Sequence, residues 1–156
     1  MQIVRGDFDH PAIRDLLAFH FNDLRTTAPP ESCHVLPIDA MRVPELHFFA
    51  AWAEESGKDE ELLGFGAVKD LGDGTGEIKS MRTAEAGLRK GVGQAMLDHL
   101  IEHARTLGLS RLSLETGSME FFIPARTLYA KNGFAECAPF GEYQPDPNSV
   151  FMTREI

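Results

Sequence analysis

One stretch constrains the fold more than any other. From Gly91 to Leu107, Val92, Met96, Leu100, Ala104 and Leu107 lie on one stripe of a helix, with Gln94, Asp98, Glu102 and Arg105 opposite. Gly108 supplies the stop. Such a helix must cover an apolar face, and its neighbours suggest which. Glu77 to Thr83 reads as a strand before it and Ser110 to Glu115 as a strand after it. Strand, helix, strand is a crossover unit, which places the helix against a sheet.

The other segments supply the rest of that sheet. Gln2 to Arg5 reads as a first strand. His10 to Arg25 carries apolar residues at helical spacing, with Pro11 suited to its first turn. Thr26 to Pro37 is a proline-rich loop, and Ile38 to Val43 a short helix ended by Pro44. Leu46 to Ala53 and Glu61 to Lys69 read as strands, and Gly72-Asp73-Gly74-Thr75-Gly76 as a hairpin turn. Pro124 to Lys131 is a helix closed by Asn132-Gly133, followed by strands at Phe134 to Ala138 and Val150 to Arg154. The order predicts one α/β domain spanning residues 1–156, a mixed, mostly antiparallel sheet flanked by helices on both faces. The chain length of 156 residues suits a single core.

The loop that opens the long helix, Arg89-Lys90-Gly91-Val92-Gly93-Gln94, has the features of an anion site. Free N–H groups and a partial positive charge meet there, and glycines allow close approach. Taken alone, the pattern fits a tight turn with two solvated basic residues equally well. A Rossmann fingerprint fails because Ala95-Met96 stands where its third glycine belongs, and a Walker loop fails for want of Gly-Lys-Ser/Thr. The net charge of −9 argues against nucleic acid or anionic membrane as partner. The longest apolar stretch, Leu46 to Ala53, is too short to span a bilayer, and the charged N-terminus does not read as a signal peptide. Two cysteines, Cys33 and Cys137, lack metal spacing and read as reduced thiols, so the expected location is the cytoplasm.

Two segments together carry a resemblance. Glu77-Ile78-Lys79-Ser80-Met81-Arg82-Thr83 with Leu88-Arg89-Lys90-Gly91-Val92-Gly93-Gln94-Ala95-Met96-Leu97 resembles the central motif of the GCN5-related N-acetyltransferases (GNAT superfamily). Ala125-Arg126-Thr127-Leu128-Tyr129-Ala130-Lys131-Asn132-Gly133-Phe134 resembles their second motif, in the family's order and spacing. The segments Leu112 to Ser118 and Asn148 to Thr153 look like a small bacterial branch of uncharacterised acetyltransferases. Two positions depart from the family pattern: Leu88, where Gln or Arg is usual, and Phe122, where Asn often stands.

The resemblance implies acetyl-CoA as co-substrate, no metal, and an N-acetyltransferase acting by direct transfer in a ternary complex. Backbone N–H groups of Arg89, Lys90, Gly91, Val92, Gly93 and Gln94 would hold the pyrophosphate. The strand backbone at Met81 and Thr83 would pair with the pantetheine arm. The acceptor would be a small amine or amino acid, with a protein amine also open, and a homodimer is compatible with such a family. A non-catalytic acyl-CoA-binding regulatory module is the alternative.

Transfer to an amine needs the neutral form, and a lysine-like amine near pKa 10.4 is neutral in about one molecule in 2,500 at pH 7. A base must supply it, an N–H near Met81 would stabilise the oxyanion, and an acid would protonate the departing thiolate. Tyr129 fits the acid by its motif position; a core tyrosine is its structural alternative. Glu115, at a strand end, and Glu77 are the candidate bases, with an ion pair to Lys79 as the alternative for Glu77.

His99-Leu100-Ile101-Glu102-His103 has the spacing of an inverse zincin, but its histidines fall at the edge of the apolar stripe and read as boundary residues. Cys33-His34 sit in a loop on the expected substrate side. Phe48, Phe49 and Trp52 suit either an acceptor pocket or the sheet core. Tyr143 lies in a Gly/Pro-rich loop where it can face substrate.

Overall fold

The computed structural model describes residues 1–32, 37–54 and 61–156. Seven strands form one sheet: β1 Gln2–Arg5, β2 Leu46–Trp52, β3 Leu62–Asp70, β4 Thr75–Thr83, β5 Arg111–Gly117, β6 Ala135–Cys137 and β7 Ser149–Glu155. Their spatial order is β1-β2-β3-β4-β5-β7-β6. All neighbours are antiparallel except β4 and β5. Four α-helices lie among the described residues: α1 Pro11–Thr27, α2 Ile38–Met41, α3 Val92–Thr106 and α4 Ile123–Lys131. The mixed, mostly antiparallel sheet read from the sequence is the one found.

Strand alternation gives the sheet two apolar faces. On one, Val92, Met96, Leu97, Leu100, Ile101 and Ala104 of α3 pack on Phe49, Leu63, Val68, Ile78, Leu112 and Leu114. On the other, Ile13 and Leu17 of α1 with Met41 of α2 cover Leu46, Phe48, Ala50, Phe65 and Ala67. Leu97 and Ile101 are both buried, so the apolar stripe of α3 is wider than the a single row suggests. Phe48, Phe49 and Trp52 are core residues, at 3–7% exposure, which settles the choice left open for them.

Two irregularities position the site. Across β3 and β4, Ala67 faces Lys79 and Phe65 faces Arg82, so Gly66 stands opposite both Ser80 and Met81. Ser80 takes the bulged position with φ 52°. Gly66 permits it: a β-carbon there would lie 2.9 Å from Met96 Cγ and 3.2 Å from Met81 Cγ. The bulge resets the alternation, so Arg82 reaches α1 and bonds Asp23 at 2.7 Å. The second irregularity follows. β4 and β5 pair only over Thr75–Glu77 and Arg111–Ser113, then diverge. From Ile78 onward β4 has β3 on one side and an edge uncovered by β5 on the other.

Candidate active site

The divergence of β4 and β5 opens a cleft with two lobes. Thr83, Leu88, Val92, Gly93 and Leu128 line the outer lobe. Lys79, Glu115, Thr116, Tyr143 and Asn148 line the inner one. His20, Leu24, Met81, Phe122, Ala125 and Tyr129 border both.

The outer lobe ends on the N-terminus of α3. Gly91 caps that helix in the left-handed region, φ 74°, and Arg89 is also left-handed at φ 62°. For Arg89 that conformation is uncommon, and it tightens the turn. The first helical bond is Ala95 N–H to the Gly91 carbonyl, 3.0 Å. The N–H groups of Val92, Gly93 and Gln94 thus precede the helical ladder and point out of its start. The Lys90 N–H donates to the Gly87 carbonyl at 3.3 Å, so it is spent within the turn. The Gln94 side chain is spent too: it exchanges hydrogen bonds with the Asn132 amide at 2.7 and 2.9 Å, tying the start of α3 to the end of α4. Only its backbone remains as a donor. A β-carbon on Gly93 would make ordinary contacts, 3.4 Å to Leu128 and 3.8 Å to Thr83, so protein packing does not demand glycine there. Three N–H groups at a helix start, two flanking cations and an uncovered strand edge suit a long, anionic, amide-bearing molecule such as acetyl-CoA.

At the inner lobe, Glu77 and Lys79 share a strand face. The Glu77 carboxylate lies 3.1 Å from the Lys79 ammonium, with side chains only 5% and 13% exposed. The Tyr143 hydroxyl donates to Glu77 at 3.2 Å, and Lys79 donates to Tyr143 at 3.3 Å. Glu77 is therefore locked in a closed ring of contacts and does not line the cleft, which is the ion-pair alternative. Burial, followed by the charges of Glu77 and Glu115, raises the Tyr143 phenol above its ordinary value.

Glu115 does line the cleft. Burial pushes its carboxyl up to about 7. The Ser149 hydroxyl and the Lys79 ammonium oppose that rise, while Glu77 and Asp146 add to it. Tyr129 sits at the junction of the lobes, 7% exposed, its ring 5.8 Å from Phe134. Burial raises its phenol, which keeps it protonated. It is packed in the core and also borders the cleft. Met81 and Thr83 stand on the uncovered part of β4.

Several residues of the site carry no motif signal. His20 of α1 is buried against Phe65, its Nδ1 has no hydrogen-bond partner among the described residues, and burial lowers its pKa to about 4. Arg126 donates to the Met119 carbonyl at 3.1 Å and to that of Gly117, holding the chain as it leaves β5. Ser32 donates to Asp146 at 2.6 Å and accepts from Asn148 at 3.2 Å, closing the far end of the inner lobe. These contacts join positions more than a hundred residues apart, so spacing could not have revealed them. Cys33-His34 lie outside the described residues. His99 and His103 pack on Phe49, and His103 Nε2 is 2.9 Å from His47 Nδ1. Among the described residues, no group of three or more His, Cys, Asp or Glu is placed to hold a metal ion. No helix among them is long and apolar enough to cross a membrane.

Residues 11–134 match the model of the acetyltransferase (GNAT) family. The chain belongs to that family. It is 46% identical over 156 residues, the full length of both chains, to the uncharacterized N-acetyltransferase YsnE of Bacillus subtilis (strain 168). A provisionally named acyl-CoA N-acyltransferase from Klebsiella pneumoniae subsp. pneumoniae MGH 78578 has a similar structure, with a TM-score of 0.78 and 26% identity over 99% of this chain and 96% of that one. A Bacillus subtilis acetyltransferase solved in complex with CoA shares the fold, TM-score 0.67, at 21% identity over 99% of this chain and 98% of that one. The chain is an acetyltransferase, and acetyl-CoA is its co-substrate.

Proposed function

We propose that this protein transfers the acetyl group of acetyl-CoA directly to a primary amine within a ternary complex. One observation carries the reading. Glu115, a carboxyl poised near neutrality, and Tyr129, a phenol held protonated, border one cleft whose outer lobe ends on the free N–H groups of α3.

Each role follows from its surroundings. The donor lies along β4, pairing with the backbone at Met81 and Thr83, its pyrophosphate on the N–H groups of Val92, Gly93 and Gln94. Arg89 and Lys90 add positive charge at the mouth. The thioester supplies an activated acetyl group. Glu115, ionised in about half the molecules near pH 7, accepts a proton from the acceptor ammonium and leaves a neutral nucleophile. The backbone N–H near Met81 donates to the oxygen that becomes negative as the nitrogen attacks. Tyr129 gives its proton to the departing sulfur. Glu77 holds Lys79 and Tyr143 in place, and the base role falls to Glu115. The acceptor is a small amine that fits the inner lobe between Glu115 and Tyr143.

A thiol-release assay with acetyl-CoA over a panel of primary amines tests the reading. Acceptor-dependent release is expected. Tight CoA binding with no release from any amine would instead describe a regulatory module that binds acyl-CoA.

A further inference from the structure

The inner lobe has a charge balance that bears on the acceptor. Glu77 and Glu115 bring two carboxyls against one ammonium, that of Lys79. That ammonium is committed. It is only 13% exposed, and Glu77 and Tyr143 hold it at 3.1 and 3.3 Å. Redirecting it to a substrate would strip a buried carboxylate of its partner, which is far costlier than losing a surface pair.

The neighbouring cations offer no substitute. Arg82 is turned to the outer lobe and held by Asp23 at 2.7 Å. Arg126 does not line the lobe, and its Nη1 donates to the Gly117 and Met119 carbonyls. His20 is held neutral by burial. An acceptor's carboxylate entering this lobe would meet acidic groups and no uncommitted cation among the described residues. Its ammonium would meet Glu115.

We propose that the inner lobe selects cationic amines that carry no carboxylate near the reacting nitrogen, and discriminates against free α-amino acids. The inference rests on the acetyl-transfer reading above and narrows its acceptor class. Charge, not size, sets the preference, so the lobe would accept an amine and refuse the same skeleton bearing an α-carboxylate.

Phenethylamine and phenylalanine form a suitable pair. They differ only by the carboxylate, and loss of that group makes the amine more basic, so intrinsic availability of the neutral nitrogen works against the expected result. In thiol release with acetyl-CoA, kcat/KM for phenethylamine should exceed that for phenylalanine at least tenfold. In parallel, calorimetry on the protein–CoA complex should show the same order of affinities, which keeps the test independent of turnover. Equal constants, a preference for phenylalanine, or binding of neither at 10 mM, a concentration of roughly 100 times a typical KM, would overturn the proposal. Should phenethylamine bind preferentially with no release from any amine, the charge preference stands and the catalytic reading falls. A second arm uses Glu77→Gln, which keeps the hydrogen-bond acceptor but leaves Lys79 with uncompensated charge. The phenethylamine-to-phenylalanine ratio should then fall at least fivefold, and an unchanged ratio would count against the proposal.

Discussion

Replacing Glu115 with glutamine should raise stability and abolish most activity, and the two effects share one cause. The carboxyl sits in the cleft with its pKa raised from 4.5 to about 7, chiefly by burial. Each tenfold change in proton affinity is worth about 1.4 kcal/mol, so keeping this group ionised in the folded protein costs ~3 kcal/mol. The sign follows from linkage. A raised folded pKa favours the folded state fully below 4.5, and that advantage is lost as pH rises through about 7. Above pH 7 the wild type bears the whole cost, whereas the neutral amide does not. Glu115→Gln should therefore be more stable than wild type by ~1–3 kcal/mol at pH 8, with the gain fading towards pH 4.5. For a chain of this size that is a rise of roughly 2–12 °C in Tm. The assay is paired thermal unfolding of the two proteins from pH 4.5 to 8.5, with kcat/KM measured over the stable part of the range. Wild-type kcat/KM should climb with pH and level off above about 7, and the variant should lose that limb and roughly 10²–10⁴-fold in rate. A stability difference independent of pH would refute the assigned ionisation. A variant with normal rate would refute the base role.

Tyr129→Phe should lower kcat at least tenfold while leaving the dissociation constant for CoA within twofold, since the ring's packing on Phe134 is retained. An unchanged kcat, read by thiol release, removes the phenol from the mechanism. Gly93→Asp adds a carboxylate facing the outer lobe at a position where a β-carbon fits, 3.4 Å from Leu128. CoA affinity by calorimetry should drop at least tenfold with little change in Tm, and an unchanged affinity would sink the pyrophosphate cradle. His20 has its pKa lowered to about 4 by burial, with Arg82 adding to the effect, so its contribution to stability is present above 6.5 and lost as pH falls towards 4. Urea unfolding of wild type should thus show an acid-side loss of ~3 kcal/mol that is absent in His20→Leu; identical pH profiles would contradict it.

Where the sequence proved legible, the signal was local. The α3 stripe, the glycines at its start and the Gly72–Gly74 turn each act through backbone conformation or a short period, and all three stand where spacing predicted. The Glu77–Lys79 pair was also legible, because residues two apart in a strand share a face. The bulge at Ser80 was not, since it depends on Gly66 of the neighbouring strand and on Met96 of α3. The roles of His20, Ser32 and Asn148 stayed hidden for a related reason. They reach the cleft through contacts between distant segments, and no period or motif encodes those. Nor could sequence choose between Glu77 and Glu115. The sequence reading sets each at a strand end, the structure sets each within its strand, and only the divergence of β4 and β5 leaves one carboxyl in the cleft and the other behind a lysine.

Initial-velocity kinetics test the central claim most directly. In the proposed reading a base and an acid border one cleft, with donor and acceptor lobes side by side, so both substrates are bound before acetyl moves. With acetyl-CoA and a turned-over amine varied together, reciprocal plots should intersect. Parallel lines, the sign of an acetyl group parked on the enzyme between two half-reactions, would contradict direct transfer.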